Sequence, residues 1–109
     1  MAQCTNNKTQ YYKGESIPFY VNGDSVDNLG LENFKVLFYS AYQADIVIDK
    51  SAMTNTATNV YFYEIADDIS KDLSTGDYTM EILLGDLSKS IWKGFAFNLA
   101  ESHSKNYIV

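Results

Sequence analysis

From position 11 onward, short runs in which apolar and polar residues alternate recur every ten to fifteen residues, with turn chemistry between them. A period of two places successive side chains on opposite faces of an extended chain. Each run is therefore a strand with one face to a core. Ile17, Phe19 and Val21 alternate with Pro18, Tyr20 and Asn22, and Asn22-Gly23-Asp24 supplies a turn. Pro18 removes a ladder donor, which predicts an edge strand or a bulge at that point. FKVLFYSAY at 34–42 is apolar on both faces, as a central strand requires. DIVID at 45–49 points Ile46 and Ile48 one way and Asp45, Val47 and Asp49 the other. SAMTNTATN at 51–59 reads as a polar loop, and VYFYEI at 60–65 as a strand. YTMEILL at 78–84 sends Tyr78, Met80, Ile82 and Leu84 inward. GDLSK at 85–89 predicts a tight hairpin, and IWKGFAFNL at 91–99 returns with Ile91, Phe95, Phe97 and Leu99 on one face.

Only EIADDISKDL has a helical period, with Ile65, Ile69 and Leu73 four apart. It is too short for an independent helix and predicts a turn or two between strands. Six or seven short strands at this spacing define an all-β chain, a β-sandwich or a small barrel. Residues 1–10 are polar without apolar periodicity and read as an extended N-terminal arm. Residues 11–100 form the domain, and 101–109 are a C-terminal tail, polar until its last three residues.

A chain of 109 residues buries roughly 60–70 % of its extended surface, enough for one core without a metal or a disulfide. The aromatic share of 15 %, with nine tyrosines and six phenylalanines, favours pleated, half-buried surfaces. The net charge is −6, and all eight basic residues are lysines spread singly along the chain, so the clustered cations that bind a phosphate backbone are missing. No apolar run approaches the roughly 20 residues of a membrane span. The opening MAQCTNNKTQ has neither the basic nor the apolar region of a secretory signal, and the expectation is synthesis in the cytoplasm without export by that route. Cys4 has no partner for an internal disulfide and reads as an exposed thiol.

Catalysis requires a base beside a nucleophile, or a metal with an open position. The one histidine, His103, lies in the tail, and no Ser-His or Cys-His pair follows from it. Asp67 and Asp68, with Asp72 and Asp77 nearby, form an acidic turn whose oxygens suit Ca²⁺, but the spacing matches no EF-hand and a solvated turn accounts for it. The glycines are scattered and build no phosphate loop. No catalytic residue, metal or cofactor is predicted.

The aromatic surplus is the remaining signal. Tyr20, Tyr39, Tyr61, Tyr63 and Trp92 fall on faces opposite to, or ambiguous with, the core set. Three readings fit: a carbohydrate platform on Tyr61, Tyr63 or Trp92, a protein interface rich in Tyr and Trp, and a small domain that fills both faces with rings. The termini add Tyr11 and Tyr12 on one side and Tyr107, Ile108 and Val109 on the other, segments suited to pairing with a neighbour's sheet edge.

Leu73, Gly76 and Tyr78 follow the pattern of a tyrosine corner, in which a phenol near the start of the penultimate strand bonds backbone a few residues upstream. Gly76 suits the arch because it takes positive φ without a Cβ clash. Antibody domains carry a cysteine two residues past this tyrosine, where this chain has Met80. The chain thus resembles the disulfide-free immunoglobulin-like sandwich. More narrowly, it resembles small immunoglobulin-like domains of bacteriophage virions: the N-terminal domain of baseplate upper proteins and comparable head-fibre and capsid-decoration modules. The residues that carry this are Lys13-Gly14-Glu15-Ser16-Ile17-Pro18-Phe19, Phe34-Lys35-Val36-Leu37-Phe38-Tyr39, and Gly76-Asp77-Tyr78 through Leu99. The resemblance implies about seven antiparallel strands and a virion structural protein assembled in the host cytoplasm. It also implies capsid, fibre or tail subunits as partners and a homo-oligomer in the assembly. With one domain and no following coiled coil, it points to a short attachment or decoration subunit. The glycan-binding module is the alternative.

Overall fold

The computed structural model describes residues 2–6, 8–23, 29–31, 33–85 and 89–101. Within these, β1 (Gln3–Asn6), β3 (Ile17–Asn22), β7 (Val60–Ile65) and β6 (Thr54–Ala57) form one sheet in the order β1-β3-β7-β6. The second sheet has the order β2-β9-β8-β4-β5, from β2 (Gln10–Tyr12), β9 (Lys89–Ala100), β8 (Gly76–Leu84), β4 (Phe34–Ser40) and β5 (Gln43–Asp49). A 3₁₀ turn at Lys50–Ala52 and one helical turn, α1 (Asp67–Ser70), complete the described elements. No helix among the described residues is long and apolar enough to cross a membrane.

The alternation in the sequence is the alternation of burial. Ile17, Phe19 and Val21 of β3 are fully buried, as are Val36 and Phe38 of β4 and Tyr78 and Ile82 of β8. These inner faces of the two sheets share one core. Rings knit it across the gap: Phe34 of β4 meets Tyr61 of β7 edge-on at 5.2 Å, and Phe19 of β3 meets Phe38 of β4 at 6.4 Å. Such contacts contribute about 0.5–1.5 kcal/mol each beyond the area they bury.

Four expectations need correction. Residues 1–10 are not a separate arm: β1 pairs antiparallel with β3 (Gln3↔Asn22 through Asn6↔Phe19), and β2 crosses to the other sheet. That crossing makes one pairing parallel, Gln10↔Asn98 to Tyr12↔Ala100 against β9, so the chain is not wholly antiparallel. The polar stretch 51–59 contains a strand, β6, whose four residues are all exposed at the sheet edge. The edge strand β6 has no face to bury, and β1 half-buries only Cys4 and Asn6, so neither needs apolar alternation. Finally, β3 lies inside its sheet in spite of Pro18. Pro18 pairs with Glu64 of β7 but sits one residue past Phe19, the last partner of β1, so its missing donor costs no bond on that side.

Candidate functional site

The arch between the sheets is the first feature with built geometry. Ser70 ends α1 fully buried; its Oγ donates to the Glu15 carbonyl at 2.7 Å and accepts the Gly14 N–H at 3.1 Å. Leu73 is buried and Gly76 opens β8 at φ +135°, a conformation costly for any side chain with a Cβ. Tyr78 is fully buried, and its Oη donates to the Ser74 carbonyl at 2.7 Å. Ser74 in turn holds the β4–β5 turn: its N–H donates to Gln43 Oε1 at 3.0 Å and its Oγ to the Tyr42 carbonyl at 3.0 Å. Burial pushes the Tyr78 phenol above its ordinary value, against a smaller opposing effect of Ser40. One side chain thus ties arch, turn and core together. Its role is architectural.

The candidate interface residues mostly face inward. Tyr11 is 1 % exposed with its ring edge-on to Phe97 at 5.8 Å, and Tyr61 is 7 % exposed. Tyr12, Tyr63 and Trp92 are half-buried; Tyr63 packs on Phe19 at 5.8 Å, and Trp92 lies against the core and across Gly94. Tyr61, Tyr63 and Trp92 therefore offer no exposed flat ring of the kind a sugar stacks on. Tyr107, Ile108 and Val109 lie outside the described residues, as do His103 and the tip of the 85–89 hairpin. Cys4 is half-buried against the core instead of exposed, and burial pushes its thiol up to about 12. Asp67, Asp68, Asp72 and Asp77 are all exposed, and no group of three or more His, Cys, Asp or Glu is placed to hold a metal among the described residues.

On the outer face of the second sheet, period-two reading misplaced Phe95. Opposite β8, β9 carries two extra residues: the register steps from Tyr78↔Phe97 to Thr79↔Phe95, and again from Ile82↔Trp92 to Leu83↔Ser90. At the first bulge Ala96 is the added residue, and it is buried beside Phe97. The bulge turns Phe95 away from the core, where it is 57 % exposed. Bulges re-aim side chains in this way. Phe95 was expected inward with Phe97; the signal for the opposite was the pair of small residues around it, Gly94 and Ala96.

Phe95 does not stand alone. Register places Phe95, Thr79 and Tyr39 in one row across the outer face, and Lys93, Glu81, Leu37 and Val47 in the next. Leu37 and Tyr39 alternate with buried Val36 and Phe38, and Val47 is 47 % exposed. At the centre Tyr39 Oη donates to Glu81 Oε1 at 2.7 Å, and Lys93 Nζ lies 3.9 Å from the same oxygen and 6.0 Å from the Tyr39 ring centroid. The Tyr39 hydrogen bond holds the Glu81 carboxyl below its ordinary value, with Lys93 adding to the effect. The outer face thus carries apolar side chains around a charged, hydrogen-bonded centre.

Comparison of the chain with protein-family models and with curated proteins gives no match. The class rests on the fold itself: an all-β protein of two sheets packed on a common core, with an aromatic residue displayed on the outer face of one of them.

Proposed function

We propose that this chain is an immunoglobulin-like β-sandwich acting as a non-enzymatic structural subunit of a bacteriophage virion. It binds capsid, fibre or tail subunits, and further copies of itself, through protein–protein contacts. It is assembled in the host cytoplasm and resides in the particle. The strand order supports the immunoglobulin-like reading. With β1, β3, β4, β5, β6, β7, β8 and β9 lettered A, B, C, C′, D, E, F and G, the sheets read A-B-E-D and G-F-C-C′, and β2 is the half of a split first strand that joins G. The tyrosine at the start of F, bonded upstream, belongs to the same pattern. The resemblance of residues 13–99 to phage virion domains supports the setting.

The single observation that carries the binding role is the bulge that holds Phe95 in solvent on the outer face that also carries Tyr39, Leu37 and Val47. An exposed phenylalanine held by a distorted ladder forgoes burial that regular pairing would give it, and a partner returns that burial. No observation favours the glycan-binding alternative, because its three aromatic residues pack against the core. Mass spectrometry of purified particles from the phage that encodes the chain tests the proposal. The chain is expected among the virion proteins at a copy number set by particle symmetry. Its absence from intact particles refutes the reading.

A further inference from the structure

We infer that the outer face of the β1-β3-β7-β6 sheet is a self-association surface, on which a second copy of this chain packs about a twofold axis running along the strands between β3 and β7. The inference rests on the protein-binding role proposed above and names the surface that serves copies of the chain. The Phe95 face, on the opposite sheet, is left to subunits of other kinds.

Charge marks the surface. The chain is 20 % charged with a net −6, which opposes association between copies. Yet the four strands of this sheet carry one charged residue, Glu64, and no lysine. Phe19, Val21 and Tyr61 are buried, so Tyr20 and Phe62, which alternate with them, point outward. Tyr20 is 36 % exposed and packs on Phe62 at 5.1 Å, the two rings tilted by 54°. Beside them Asn22 Nδ2 donates to Thr5 Oγ1 at 3.0 Å. Interfaces between proteins are depleted of charge at their centre and enriched in Tyr and Phe. Two copies of this face meet with little of the repulsion that the net charge imposes elsewhere.

The order of residues selects a second copy as the occupant. Across the sheet the central row reads Thr5, Tyr20, Phe62, Thr54. It has the same chemistry from either end: a threonine on each edge strand and a ring on each inner one. Half a turn about an axis along the strands keeps every row at its own height and exchanges left for right. It lays β3 of one copy over β7 of the other, and β1 over β6. Tyr20 then meets the second copy's Phe62, Thr5 meets its Thr54, and the rings close into a cluster of four. In the flanking rows Asn22, already bonded to Thr5, stands over Val60, and Glu64 stands over Pro18 and not over the second Glu64. An isologous contact needs a surface that matches itself in this way.

Size sets the strength. Four strands about 4.8 Å apart and six residues at about 3.4 Å each give a footprint of roughly 400 Å² per copy. Standard interfaces cover roughly 800 Å² per partner, so this association is weak and reversible. An assembly that raises the local concentration of copies completes it.

Sedimentation equilibrium of the full chain, from about 1 µM to about 1 mM, reads the association directly. The wild type is expected to show a reversible monomer–dimer equilibrium. Tyr20→Lys and, on a different strand, Phe62→Glu are each expected to weaken it by roughly tenfold or more while the far-ultraviolet circular dichroism stays unchanged. Mixed in equal amounts, the two variants are expected to associate more tightly than either alone, because the axis sets position 20 of one copy over position 62 of the other and pairs the introduced charges. Phe95→Glu, on the outer face of the opposite sheet, is expected to leave the equilibrium within about twofold. Using two strands keeps the test open should one variant fail to fold. A wild type that stays monomeric throughout overturns the inference and returns the face to a partner of another chemistry. An oligomer indifferent to both Tyr20 and Phe62 overturns it as well, and a mixture no tighter than its components overturns the stated axis. A monomeric chain found in virions would overturn this inference and leave the virion role standing; a dimer of a chain absent from virions would do the reverse.

Discussion

Two buried tyrosines touch Phe97 from different directions, and only one has a bonded hydroxyl. Tyr78 stacks on Phe97 at 4.9 Å and donates to the Ser74 carbonyl at 2.7 Å, whereas the Tyr11 hydroxyl is buried without a hydrogen-bond partner among the described residues. Tyr78→Phe keeps the ring, its stacking and its volume, and removes one donor. The Ser74 carbonyl is left in a half-buried arch, so the cost combines a net hydrogen bond with partial loss of solvation, about 1–3 kcal/mol. Tyr11→Phe removes a hydroxyl that already lacks a partner and is expected to be neutral or stabilising, because burying a polar group unpaired is itself unfavourable. In a domain of 60–100 residues each kcal/mol lowers the thermal midpoint by about 4–8 °C, and the lower end of that range applies here. Urea unfolding of both variants beside the wild type makes the comparison; an unchanged slope ensures that stability alone has moved. If Tyr78→Phe proves as stable as Tyr11→Phe, the hydroxyl does not pin the arch, and the tyrosine-corner reasoning fails.

Three further outcomes follow from the packing and the charges. A Cβ at Gly94 would lie 2.7 Å from the Trp92 ring, so Gly94→Ala is expected to displace the one tryptophan and shift its fluorescence emission toward that of exposed indole; an unchanged spectrum contradicts the contact. Burial moves the Cys4 thiol from 9.0 to about 12, so its thiolate fraction at pH 8 falls by roughly a thousandfold, and a thiolate-selective reagent should react far faster after unfolding than before. The same shift favours the protonated native state, so this contribution to stability is present below pH 9.0 and is lost as pH rises toward about 12. On the acid side, Glu81, held low chiefly by Tyr39, and Glu15, held low chiefly by Lys8 and then by the Tyr12 N–H, contribute stability above the ordinary carboxylate value of 4.5. That contribution is lost as pH falls through their lowered values, and Glu81→Gln should shallow the acid limb of a stability–pH curve.

How much of this was legible in the sequence depended on whether a residue's face was paid for by burial. Strands β3, β4 and β8 bury one side, and that side repeats with period two in the text: Ile17, Phe19, Val21; Phe34, Val36, Phe38; Tyr78, Met80, Ile82. The arch was legible for a different reason, because a glycine two places before a buried tyrosine is a local requirement of backbone and hydroxyl. The edge strands β1 and β6 were not legible. Their residues are exposed or half-buried, so their pairing rests on main-chain hydrogen bonds that every sequence can make. The parallel β2–β9 pairing is equally silent, since it depends on where the chain crosses between sheets and not on any residue in it.

The outer face was misread for the reason that makes it interesting. Alternation carries phase from one residue to the next, and a bulge breaks that phase by one without leaving a polar mark. Counting back from Phe97 in steps of two reaches Phe95 and then Lys93, which sets a charge in the core; the count must slip between them or before them. The observed slip is at Ala96, whose small side chain fits beside Phe97 where a second phenylalanine would not. Asn6 fastens the distortion from the other sheet, its Nδ2 donating to the Ala96 carbonyl at 2.8 Å. The first strand, polar and unrecognisable as a strand, thereby helps to hold outward the one phenylalanine that the core could have taken in. A cross-sheet hydrogen bond thus steadies the bulge that leaves an aromatic ring in solvent, and it is on that ring that the proposed binding role rests.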